Sequence, residues 1–485
     1  MKRPLKIITC AGLVLVLFHQ TGEEIHSMEP VTGAADRDYR ITEFGAVGDG
    51  ITLNTLYIQQ AIDHCAEEGG GRVVIVPGTF LTGTLVLRSH VELHVSQGAI
   101  LLGSTDPCDY PEMVTGYRFY GDDWVKQSLI FGSDLENISI TGRGVIDGQG
   151  AAFKVITRKK PDRYRNRPYL IRFTECNGVK VKDVTMQNSA MWMQHYLACE
   201  NLLVENIRVY NHCNKNNDMI DIDGCRDVII TGCTGDTDDD ALTLKSTSPR
   251  ACENITISNC VLSSHCNAIK FGTESTGGFK NITLTNCRVK PSAKQEVIYG
   301  FPGGISGISL EVVDGGIMDG VTISDVQIDG PEVPIFIRLG NRARPYMEGL
   351  ENPQTGVLQN IHLENIVIRN AGKTGCSVTG MEGFPARNIS LHQITMELQG
   401  GMDDSGDDLD VPEKAEDYPE ATMFGVLPAS VLYMRHLENI DLSDISVRFR
   451  EPDDRIHLVA EDVAGLRYSR VQVAGSGKLR VVEEN

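Results

Sequence analysis

Beyond residue 27 the chain has no apolar run long enough to cross a bilayer, which takes about 20 residues. No helical membrane span is therefore expected once a leader is removed. Basic residues are scarce: 45 Lys and Arg stand against 65 Asp and Glu, a formal charge of −20. Nucleic-acid phosphates need a basic surface, so a nucleic-acid partner is excluded. An acidic sugar is not excluded, because the field inside a cleft can differ from the net charge. None of the 13 cysteines stands in a zinc-ligand spacing.

What is present starts with a leader pattern. Lys2, Arg3 and Lys6 precede an apolar run from Ile7 to Phe18. This reads as a secretory signal over residues 1–27, although no Ala-x-Ala site follows directly. Cys10 lies too early in the run for lipid attachment, so a soluble, secreted or periplasmic product is expected. Residues 28–38 read as a linker and 39–485 as one domain, expected to act as a monomer.

That domain is repetitive. A small polar residue followed by apolar-x-apolar recurs at Ile138, Val179, Leu202, Val228, Ile255, Ile282, Val321, Ile361, Ile389, Ile440 and Leu466. The gaps run from 23 to 51 residues. Short gaps are bare coils, and long ones carry loop insertions. The pattern predicts an all-β fold, a right-handed parallel β-helix of roughly ten coils. Cysteines repeat in the same register. Cys176, Cys199, Cys225 and Cys252 lie three residues before an anchor, and Cys233, Cys260 and Cys287 lie five after one. Files of small apolar side chains suit core packing better than a disulfide framework.

Asn54 opens an amphipathic stretch, Thr55 to Glu67, ended by Gly69-Gly70-Gly71. Leu56, Ile58, Ile62 and Cys65 supply its apolar positions, so it predicts a helix capped by Asn54. Such a helix would cover the open first coil. Two insertions stand out. Residues 103–127 are rich in aromatics, and residues 403–420 are acidic and read as a solvated loop.

The stretch from Asn216 to Lys245 carries the chemistry. Alternating segments Ile220-Asp221-Ile222 and Leu242-Thr243-Leu244 each follow an acidic cluster. Superposed, they are offset by 22 residues, one coil of a solenoid. Matching positions on neighbouring coils lie about 4.8 Å apart. Asp218 then falls on Asp240, with Asp239 beside it. Clustered carboxylates repel, so one should keep its proton, and an acid beside bases is what glycoside hydrolysis needs. A solvated acidic turn or a cation site would use the same residues.

These motifs resemble the polygalacturonase family, glycoside hydrolase family 28. FGAVGDG…NT…IQQAID…GGGRVVIVPG supports the pectin-lyase-like fold. Asn216-Asn217-Asp218 is similar to the family's Asn-x-Asp motif, and Asp239-Asp240 to its paired acids. The resemblance implies Asp239 as general acid, with Asp218 and Asp240 activating water for inverting hydrolysis. The carboxyls would stand about 6.5–9.5 Å apart. It implies a pectic polysaccharide or oligosaccharide substrate, no cofactor and no metal.

The chain departs from the family where Gly-His-Gly and Arg-Ile-Lys are expected. The next coil reads SSHCNAIKFGTES, with Asn267 in register with Asp240, Cys266 with Asp239 and His265 close but off register, and Gly307-Ile308-Ser309 stands where Arg-Ile-Lys is expected. Substrate contacts are therefore expected from Asn216, His195, His212, Lys245, Asn267, Lys270 and Arg338, with Arg342 nearby. A calcium-dependent lyase and a non-catalytic glycan-binding β-helix remain open on the same fold.

Overall fold

The structure, a computed structural model, describes residues 37–119, 125–155, 157, 159, 164–403, 410–474, 479 and 481–484. The leader, most of the linker, Trp124 of the aromatic insertion and residues 404–409 of the acidic one lie outside them.

Strand pairings are parallel throughout, and each strand pairs with its counterparts on neighbouring coils. The exception is an isolated antiparallel bridge between Met381 and Phe384. This is the parallel β-helix expected. All eleven anchors from Ile138 to Leu466 fall in one continuous file. The first ten are buried. Leu466, at the end of the file, is only partly covered.

The polar residue before each anchor has a backbone reason. Asn137, Gly178, Asn201, Asp227, Asn254, Asn281, Gly320, Asn360, Asn388, Asn439 and Gly465 all adopt left-handed φ, between 52° and 75°. Side chains with a Cβ pay for that conformation, and Gly, Asn and Asp tolerate it best. The asparagines also bond from coil to coil. Asn254 donates to Asp227 at 2.9 Å, and Asn281 donates to Asn254 at 2.9 Å. Asn254→Ala is therefore expected to cost about 1–3 kcal/mol in urea denaturation, from strain and lost bonds together. Asn254→Gly loses the bonds but not the turn, and should cost less. Equal losses would show that φ is not what selects asparagine here.

The helix α1 runs Thr55–Glu67, as predicted, and buries Ile58, Ala61, Ile62 and Cys65 against the first strands. Two details differ from expectation. Leu56 is exposed. Asn54 does not cap with its side chain; its amide instead bonds Val47 and Thr52, tying down the preceding loop. The described cysteines are all free, and ten of the twelve are buried, so packing accounts for them.

Six consecutive strands carry the functional face: β1 (Gln194–Leu197), β2 (Ile220–Asp223), β3 (Leu242–Ser246), β4 (Asn267–Ser275), β5 (Ser306–Val312) and β6 (Val333–Leu339). Ile220 pairs with Leu242 and Ile222 with Leu244, the 22-residue register read from the sequence. Leu242 pairs with Ile269, and Ile269 with Ile308. Between β3 and β4 the register shifts after Leu244, so that Ser246 meets Ser275. A bulge of this kind re-aims side chains. Glu274 lies in it.

Candidate active site

The turns that lead into β2 and β3 place Asp218, Asp239 and Asp240 around one cavity of about 390 Å³. Their backbones are pinned. The Asn217 amide accepts from Asn214 N–H at 2.6 Å and donates to Ser189 O at 2.8 Å. Thr237 and Ser264 hydroxyls both donate to Asp239 O, at 2.8 and 2.6 Å. The Asp239 carboxylate accepts the Asp240 N–H at 3.0 Å. Met219 N–H donates to Asp240 O at 3.1 Å, joining the two turns.

The three carboxyls differ in their cations. Lys245 Nζ lies 4.0 Å from Asp218, 3.4 Å from Asp221 and 3.7 Å from Glu274. Lys270 Nζ lies 3.2 Å from Asp240. Asp239 is ion-paired with none of the described cations. Burial and then the charge of Asp240 push its carboxyl up to about 6. Burial, Asp221 and Asp239 also push Asp218 well up, and Lys245 opposes them. Asp221, fully buried behind it, is pushed up by burial as well.

The other predicted residues separate into two groups. Asn216 and Lys245 line the cavity. The rest support it or stand apart. Asn267 is buried and gives Asp240 two N–H donors, at 3.1 and 2.7 Å. Lys270 lies behind Asp240 and does not line the cavity. His195 does not reach it either. Its Nε2 is 3.1 Å from Asp223, and its ring packs among Phe119, Tyr169 and Trp192. Its ring packs on Trp192, which lines the cavity. His212 turns to Asp236 at 2.9 Å. Arg338 is buried and donates to Thr379, Gly380 O and Glu413 O, a structural clasp. Of the expected substrate contacts, His195, His212, Asn267, Lys270 and Arg338 do not line the cavity, and the bonds described for them run to other protein groups.

Residues the motifs did not flag complete the wall. Glu274 enters from the bulge, Arg344 and Tyr299 come from later loops, and Lys215 lies just before Asn216. Tyr418, 52% exposed, brings its ring to the cavity from the acidic insertion. Arg342 joins them, clamped through Nε and Nη2 by Asp314. Burial works against Glu274 ionising, yet Lys245, Arg344 and Arg342 hold its carboxyl well below the usual range.

Two groups bring potential metal-ligand atoms within 4.8 Å of one another: Asp239, Asp240 and Cys266, and His212, Asp238 and His265. In the first, burial pushes the Cys266 thiol well up, away from the thiolate a metal needs. In the second, Asp238 and both His265 nitrogens already have hydrogen-bond partners.

The sequence model of glycosyl hydrolases family 28 matches residues 112–413, more than half of the chain. The chain belongs to glycosyl hydrolases family 28. The matched stretch holds all three cavity aspartates. A probable polygalacturonase of Vitis vinifera is 33% identical over 216 residues, covering 42% of this family 28 chain and 44% of that protein. The plasmin and fibronectin-binding protein A of Streptococcus pneumoniae is 32% identical over 176 residues, covering 36% of this chain and 24% of that one. The chain thus spans less than half the length of these two relatives. Among solved structures, a hyperthermoactive exopolygalacturonase of Thermotoga maritima superposes with a TM-score of 0.62 at 25% identity. That match covers 75% of this chain and 87% of the other.

Proposed function

We propose that this chain is a glycoside hydrolase that removes an α-linked uronic acid, galacturonic acid first, from pectin-type polysaccharide with inversion. One observation carries the roles. Two of the three cavity carboxyls each have a lysine within ion-pair distance, and the third, Asp239, has none among the described residues. Asp239 is then the general acid, giving its proton to the glycosidic oxygen as the bond to the anomeric carbon breaks. Asp218 and Asp240 orient a water on the opposite face and take its proton as the new C–O bond forms. The kinship with an exopolygalacturonase favours release from chain ends, and the leader pattern favours action outside the cytoplasm.

The test is product analysis by NMR and mass spectrometry. Wild type and Asp239→Asn are incubated with oligogalacturonides and rhamnogalacturonan fragments, with and without chelator. Release of a free β-anomer by wild type alone, indifferent to chelator, is the expected result. An unsaturated product would move the chain to the lyases. The pneumococcal relative, named for binding plasmin and fibronectin, supplies a second reading: a binding β-helix. On that reading no pectic substrate turns over, and Asp239→Asn leaves binding intact.

A further inference from the structure

Lys270 stands on β4 between Ile269 and Phe271, which point into the core. Alternation turns its own side chain outward, yet that side chain is only 3% exposed. What covers it returns from far along the chain. The Tyr418 hydroxyl lies 3.4 Å from Nζ, and its ring faces the ammonium at 5.6 Å. The same ring faces Arg342 at 5.8 Å. On its other side Nζ reaches Asp240 Oδ2 at 3.2 Å. Asp240 Oδ1 takes both N–H groups of Asn267. The carboxylate is thus gripped at each oxygen, by amides on one and an ammonium on the other.

The groups facing Lys270 are Asp240 from the turn before β3, Glu311 from β5, and Tyr418 and Glu420 from the 410–424 segment. Glu311 already accepts hydroxyls from Ser309 at 2.6 Å and Thr273 at 3.0 Å. Glu420 accepts the Ala421 N–H, and burial pushes its carboxyl up to about 7. Asp240 is the carboxylate within ion-pair distance of Lys270 among the described residues. A buried ammonium is costly unless it is paired, so this pair is held by mutual need.

We infer that Lys270 is a positioning residue for Asp240, fixing that carboxylate as a water-activating base, and that Tyr418 of the 410–424 segment seats Lys270 there. The inference rests on the hydrolytic reading above and adds to it a part that neither motif carries. It also gives the acidic insertion a purpose in the site. Lys270 meets the substrate only through Asp240, so its removal acts on the rate and on the pH profile rather than on affinity.

The test uses Lys270→Met, Lys270→Arg and Tyr418→Phe in the full chain. Without the cation, the acidic limb of the pH profile of kcat moves upward. The expected shift is about one pH unit or more in Lys270→Met, the scale of a close opposite charge. The expected loss of kcat is larger at pH 5 than at pH 7, with KM changed less than about twofold. Lys270→Arg should restore the limb, and Tyr418→Phe should shift it part-way. A raised KM with the limb unmoved would make Lys270 a substrate contact. A uniform loss at every pH would make it merely structural. Either result overturns the inference.

A second readout does not need turnover. The melting-temperature deficit of Lys270→Met against wild type should grow from pH 4 to pH 8, as expected of a broken buried ion pair. A deficit equal at both pH values overturns the pairing. Absence of wild-type turnover on every pectic substrate overturns the hydrolytic reading instead, so the two failures are told apart.

Discussion

Asp239→Asn should lower kcat by about 10²–10⁴-fold, the range for loss of a positioned general acid, while the β-helix stays folded. Asparagine keeps the oxygen that accepts the Asp240 N–H, so the turn loses little. It cannot give up a proton. The pH dependence sharpens the expectation. A general acid works only while protonated, and this carboxyl is pushed up to about 6. The alkaline limb of kcat in wild type should therefore fall near pH 6, and the residual activity of the variant should lack that limb. Stability should move the other way. A carboxyl raised in the folded state binds its proton more tightly there than in the unfolded chain. Wild type then loses stability as pH rises from about 4 through about 6. The variant has no such group, so its melting temperature should match wild type at pH 4 and exceed it at pH 7. Steady-state kinetics and melting curves across that range check both parts. A variant that is inactive and also unstable at pH 7 would mean that the carboxylate was structural.

The sequence exposed the part of this site that is periodic. Ile220 on Leu242 and Ile222 on Leu244 are a repeat of the core, and a repeat of the core fixes which turns lie side by side. Asp218, Asp239 and Asp240 follow from that register. What escaped was aperiodic. Glu274 arrives through a bulge, where two extra residues on β4 break the alternation that would have placed it. Tyr299, Arg344 and Tyr418 come from loops whose path no repeat encodes. His195 and His212 misled for a different reason. Both are close in sequence to the acids, but each turns to a carboxylate outside the cavity, Asp223 and Asp236. Arg338 alternates with the core residues Ile337 and Leu339, which turns it outward from the coil. The 410–424 segment folds back over it, and Glu413 O takes its N–H. Outward from a coil is not the same as exposed when an insertion returns across the face.

The second large effect is expected at Lys245, which a simple substrate-contact role would not produce. One ammonium, 6% exposed, serves Asp218, Asp221 and Glu274. Burial alone would push this lysine down, yet Asp221, then Glu274 and Asp218, hold it well above its usual value. Asp221 is the most exposed to its loss in energetic terms. Its side chain is fully buried, neither oxygen takes a regular hydrogen bond, and Lys245 is its ion-pair partner among the described residues. Lys245→Met should therefore destabilise the fold by about 3–5 kcal/mol at pH 7, the scale of a buried charge left unpaired. The loss should shrink toward pH 4, where the stranded carboxyls take up protons. Adding Asp221→Asn removes the worst-placed charge, and the double variant should recover part of the loss. Urea denaturation of the two single variants and the double one closes a cycle, and the coupling should exceed about 1 kcal/mol. Additive losses would mean that Lys245 and Asp221 are neighbours rather than partners, and that Trp192, whose ring lies 4.8 Å from the ammonium, is what holds the lysine in place.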